Sequence, residues 1–96
     1  MSQAYLSIAI WEPLSNMETA ALETIRELNA IVARKQYGHD TLYRSGNSHY
    51  ILLRCWNSEQ ARSTAQEDPD LLRCWARLGN EIKILKVYEK LEEIGA

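Results

Sequence analysis

No apolar run in this sequence approaches the roughly 20 residues that a membrane-spanning helix needs. The start, Met1-Ser2-Gln3-Ala4-Tyr5, has neither the basic segment nor the small-residue cleavage site of a secretory signal. Both absences lead us to expect a cytoplasmic protein with no membrane partner. Basic excess is missing too. The formal net charge is -2, which argues against a groove for nucleic-acid phosphates, and no run of like charges forms an anchoring tail. The two cysteines, Cys55 and Cys74, fit no metal spacing, and without an export signal they read as two reduced, buried thiols. No glycine-rich phosphate loop, nucleophile elbow or closely spaced cysteine pair is present. No cofactor is implied by any motif.

What is present is ordinary for one globular domain spanning residues 1–96: 46% hydrophobic and 25% charged residues. The strands are less ordinary. In period two, Tyr50, Leu52, Arg54 and Trp56 share one face of a strand, and Ile51, Leu53 and Cys55 share the other. A first strand over residues 4–11 sets Leu6, Ile8 and Ile10 against Tyr5, Ser7, Ala9 and Trp11. Neither strand has a face that water solvates cheaply.

Glu12-Pro13 ends the first strand, because proline cannot donate to the ladder. Ser15 and Glu18 have the spacing of a capping box. Met17, Ala21, Ile25, Leu28 and Val32 then form the stripe of an amphipathic helix, with Gly38 as its stop. A short strand over residues 39–45 follows. Ser45-Gly46-Asn47-Ser48 reads as a tight hairpin turn, because Gly46 and Asn47 both tolerate positive φ. Ser58 opens a second helix, ending near Glu67, and Asp68-Pro69 opens another piece with Leu71, Trp75 and Leu78 on one face and Gly79 at its close. A last strand covers about residues 82–88, and the amphipathic tail beyond it extends that strand or forms a turn of helix. The pentapeptide Leu-Leu-Arg-Cys-Trp occurs at 52–56 and again at 71–75, once in each kind of pattern.

Strand, helix, strand, strand, helix, strand predicts an α+β, ferredoxin-like βαββαβ chain: a four-stranded antiparallel sheet with both helices on one face and the first and third strands central. The helices suffice for one face only. The expected partner for the other is a second copy of the chain.

Within this order, Trp56-Asn57-Ser58-Glu59-Gln60-Ala61 followed by Glu67-Asp68-Pro69-Asp70-Leu71-Leu72 resembles the antibiotic biosynthesis monooxygenase-like family of the dimeric α/β-barrel superfamily. The resemblance implies a homodimer with sheets packed face to face. It also implies a pocket between sheet and helices, and in some members cofactor-independent oxygenation of phenolic substrates. Haem degradation, found in other members, needs an axial histidine in the second helical region. Neither His39 nor His49 lies there.

On that basis the candidate site comprises Trp56 and Trp75 as walls for a flat ring. Arg44 or Arg54 would stabilise negative charge, Tyr43 would offer a hydroxyl, and His49 would act as the catalytic general base. Plainer roles exist for each. Tryptophans fill cores and interfaces, and a buried Arg54 requires a partner that an intrachain or cross-dimer carboxylate could supply as well as a ligand anion. Two functions remain open: an oxygenase-like enzyme acting on a small aromatic or phenolic ligand, and a non-catalytic homodimeric binding or interaction module. A pocket of roughly 300 Å³ or more with a few convergent polar groups would favour the enzyme.

Overall fold

The structure, a computed structural model, describes residues 5–95. Ala4, where the sequence places the start of the first strand, lies outside them. The elements are β1 (Tyr5–Pro13), α1 (Glu18–Arg34), β2 (Gly38–Arg44), β3 (Tyr50–Trp56), α2 (Glu59–Ala65), α3 (Pro69–Leu78) and β4 (Ile82–Leu91). The strands form one antiparallel sheet in the order β2-β3-β1-β4, which makes β1 and β3 central. This is the ferredoxin-like plan, with the second helical region split at Asp68-Pro69 and the tail extending β4.

Cross-strand pairs fix the two faces. Trp11 opposes Tyr50, Ala9 opposes Leu52 and Ser7 opposes Arg54, and this face lies under the helices. Trp11, Tyr50, Leu52, Arg54 and Trp56 are buried there. Trp11 stacks on Tyr50 with ring centroids 4.5 Å apart. From α1, Ala21, Ile25, Leu28 and Val32 are fully buried, joined by Thr24 and Ile31, and α3 contributes Leu71, Cys74 and Leu78. The other face carries Leu6, Ile8 and Ile10 against Cys55, Leu53 and Ile51, all half-buried, with Tyr43 and Tyr88 exposed beside them. Cys74 is thus a core thiol whereas Cys55 stands half-exposed on the uncovered face, so only one of the two expected buried thiols is buried.

Three local expectations are overturned, each by a non-local contact or a turn geometry. α1 begins at Glu18 with Met17 as its cap residue, and no side chain caps it. The Glu18 carboxylate instead accepts a 2.7 Å hydrogen bond from the Tyr50 hydroxyl. The helix is stopped by Gln36, not Gly38. Gln36 has φ 61°, and Gln36 N–H and Tyr37 N–H donate back to the Ala33 and Val32 carbonyls, which is the Schellman closure. Gly38 is the first residue of β2 and no glycine has positive φ. It is required for space, since a Cβ there would overlap the Cys55 carbonyl. In the hairpin, Ser48 takes the left-handed conformation, and Gly46 and Asn47 do not.

The caps after β3 form as the sequence predicts. Ser58 Oγ accepts from Ala61 N–H, and Asp68 accepts from Asp70 N–H with Pro69 in the first helical turn. Asp68 does more than cap. It accepts from Lys35 Nζ at 2.8 and 3.0 Å and from the Tyr37 hydroxyl at 2.6 Å, tying the end of α1 and the start of β2 to the start of α3. The Lys35 ammonium, then the Tyr37 hydroxyl, hold its carboxyl well below the usual carboxylate range, against the opposing effect of burial. A depressed carboxyl stabilises the fold above its unfolded value near pH 4, and that contribution is lost as pH falls towards the folded value. Unfolding free energy is therefore expected to drop by about 2–3 kcal/mol on acidification from pH 5 to pH 2 through this group. Denaturant titrations should show a shallower acid slope for Asp68→Asn; an identical slope would mean that Asp68 is not the group responsible.

Candidate functional site

A cavity of about 270 Å³ lies between the helix-facing side of the sheet and helices α2 and α3. It exists because small residues stand where large ones would close it. Ser7 and Ala9 face inward from β1, and Ala65 faces inward from α2. Leu52 and Leu71 supply apolar floor and wall, and Val87 closes the β4 side. Trp56 and Trp75 form aromatic walls, the first buried and the second half-buried. Trp56 is held in place: its indole N–H donates to Ser7 Oγ at 2.8 Å, and Ser7 O–H donates to the Glu89 carbonyl at 2.5 Å.

Two guanidiniums reach the cavity and their situations differ. Arg54 donates Nε–H and Nη2–H to the two carboxylate oxygens of Asp40 at 2.6 and 2.8 Å, and lies 5.0 Å above the Trp56 ring. In the amide orientation that pairs donors with acceptors, Asn29 also donates to Asp40 at 2.6 Å. The charge of Arg54 is thus cancelled within the chain. Arg62, on α2, meets only exposed carboxylates at long range: Glu59 at 3.4 Å and Glu89 at 3.9 Å. Gln66, the C-cap residue of α2, and Leu72 stand with it among the lining residues that reach solvent.

Of the residues named from sequence, the structure brings Arg54, Trp56 and Trp75 together at this cavity. Tyr43 lies on the opposite face of the sheet, paired with Ile51. Arg44 is exposed at the far end of β2, opposite Tyr50, and does not line the cavity. His49 precedes β3, with Nε2 3.5 Å from a Glu12 carboxylate oxygen, and is likewise not among the lining residues. No histidine or cysteine lines the cavity. Sequence reasoning missed Ser7, Arg62, Gln66 and Glu89. The signal available was the Ala61-Arg62 and Ala65-Gln66 alternation of small and polar residues on α2, which reads as a solvated helix until the space beneath it is known.

No protein-family model matches the sequence, and no curated protein matches it. Solved structures do match its fold. SnoaB, a cofactor-independent oxygenase from Streptomyces nogalater, superposes with a TM-score of 0.76 at 15% identity, covering 99% of this chain and 100% of that one. A conserved protein of unknown function from Bacteroides thetaiotaomicron, suggested to be an oxidoreductase, gives 0.82 at 11% identity, with 97% and 100% covered. A Chloroflexus aurantiacus protein provisionally described as an antibiotic biosynthesis monooxygenase gives 0.74 at 12%, with 97% and 95% covered. The described residues therefore have the ferredoxin-like α+β fold of the antibiotic biosynthesis monooxygenase-like structures. Among the described residues, no helix is long and apolar enough to cross a membrane.

Proposed function

We propose that this chain is a homodimeric small-molecule enzyme that oxygenates a small phenolic substrate without a cofactor. The observation that supports this most is the cavity itself. At about 270 Å³ it falls just short of the roughly 300 Å³ expected of an enzyme pocket. It has apolar and aromatic walls with a few polar groups, between sheet and helices, in the fold that SnoaB also has. Trp56 and Trp75 would hold the ring, and the dry floor around Leu52 and Leu71 would make a phenolate more reactive once formed by withholding water, although the same burial disfavours its formation. In the simplest case a phenol reacts with O₂ to give a quinone and water. One oxygen atom becomes the new carbonyl, the other leaves as water with the hydroxyl and ring hydrogens, and the substrate supplies all the electrons. His49 has no part in this scheme, because it lies away from the cavity.

The second reading is a non-catalytic ligand-binding dimer. It is favoured by one specific observation, that no histidine lines the cavity to act as base. Oxygen uptake with one- and two-ring phenols separates the two. Uptake above the spontaneous rate should disappear in Leu71→Trp, which fills the cavity. Phenol binding with no enzymatic uptake would leave the binding module.

A further inference from the structure

We propose that the cavity selects an anionic one- or two-ring aromatic ligand and that Arg62 is the residue that reads its charge; this rests on the reading above that the cavity holds an aromatic molecule. Size comes first. The cavity's 270 Å³ falls just below the roughly 300–1,000 Å³ of ligand sites. Packed as densely as a protein interior, it accepts about 200 Å³ of ligand. That is one or two rings with a substituent, and a larger polycycle would have to project through the mouth.

Charge follows from the unequal arginines. Arg54 is neutralised by a bidentate carboxylate whose side chain is 0% exposed, so it has little to offer a ligand. The Arg62 side chain is only 16% exposed, yet its carboxylate contacts are long and their owners, Glu59 and Glu89, are 46% and 77% exposed. A guanidinium that is always charged and donates in a planar fork gains short, paired hydrogen bonds by exchanging such contacts for a ligand carboxylate or phenolate. Gln66, the C-cap residue of α2, is four residues after Arg62 and keeps helical backbone angles, so both fall on one face and both line the cavity. A ligand with its ring against Trp56 and Trp75 and its anion towards α2 satisfies all of these groups together.

Calorimetric titration of 1-naphthoate against its neutral isostere 1-naphthamide tests this. Wild-type protein should bind the carboxylate at least tenfold more tightly than the amide. Arg62→Gln should abolish that preference by weakening the carboxylate far more than the amide. Glu89→Gln, which removes a competing carboxylate from the mouth, should tighten naphthoate about threefold relative to the amide. This variant decides the matter should Arg62→Gln fail to fold. Equal wild-type affinities, a tenfold preference surviving in Arg62→Gln, or no effect of Glu89→Gln on the naphthoate preference would each overturn the assignment while the cavity reading stands. If a folded wild-type protein binds neither compound, the cavity reading itself falls, and the assignment with it.

Discussion

Asp40→Ala is expected to destabilise the fold by about 3–5 kcal/mol, the typical cost of leaving a buried ion without its counter-ion. A domain of this size has a total stability of roughly 5–14 kcal/mol, so the loss is a large fraction of the whole. The carboxylate is completely buried and accepts from Arg54 Nε, Arg54 Nη2 and the Asn29 amide. Truncation strands both Arg54 donors, whereas the Asn29 amide keeps its bond to the Ile25 carbonyl. The Arg54 side chain is 9% exposed, with its guanidinium 5.0 Å from the centre of the Trp56 ring. The double variant Asp40→Leu/Arg54→Met should recover most of the loss, since an apolar pair of similar volume needs no desolvation of charge. Urea unfolding of the set gives the answer through the transition midpoints. A loss below about 1 kcal/mol for Asp40→Ala would show that Arg54 finds water or another partner.

This pair also shows where sequence reading stops. That Arg54 in an apolar strand requires a partner is legible from its neighbours alone. That the partner is Asp40 depends on β2 pairing with β3 in the register that sets Asp40 opposite Arg54. The same division runs through the fold. Strand and helix periods, the central position of β1 and β3, and the caps at Ser58 and Asp68 are short-range properties and could be read. The uncapped start of α1 could not, because Glu18 is taken by Tyr50, a residue far along the chain. Nor could the role of Gly38, whose constraint is the Cys55 carbonyl across the ladder. At the site, tryptophans 56 and 75 announce themselves by size. Ser7 and Ala9 matter for what they leave empty, and an absence of side chain is visible only once the layers are assembled. Arg62 looked like any charge on a surface helix. Its meaning comes from Arg54 being occupied, which is a fact of the register rather than of α2.

Leu53→Asp is expected to convert the proposed dimer into a monomer. Leu53 sits at the middle of the uncovered face, paired with Ile8 on β1 and Thr41 on β2, with Ile51 and Cys55 to either side on its own strand. The helices lie on the other side of the sheet, so nothing among the described residues covers this surface. In a lone protomer the new carboxylate would reach water at little cost. Between two copies it would be desolvated against apolar side chains, and two-fold symmetry brings the substitution in twice. About 1.5 kcal/mol or more per copy is enough to weaken association at least 100-fold. At micromolar concentration, sedimentation should then change from a particle of twice the 11.1 kDa chain mass to one of 11.1 kDa. Ala30→Glu, on the exposed side of α1, should leave the mass unchanged. The variant's thermal midpoint should lose the concentration dependence that a dimer imposes. A wild-type protein that is fully folded at 11.1 kDa under these conditions would remove the dimer altogether. Leu6, Ile8, Ile10, Ile51 and Leu53 would then have to be tolerated in water, against the expectation that a contiguous apolar face of this kind marks an interface.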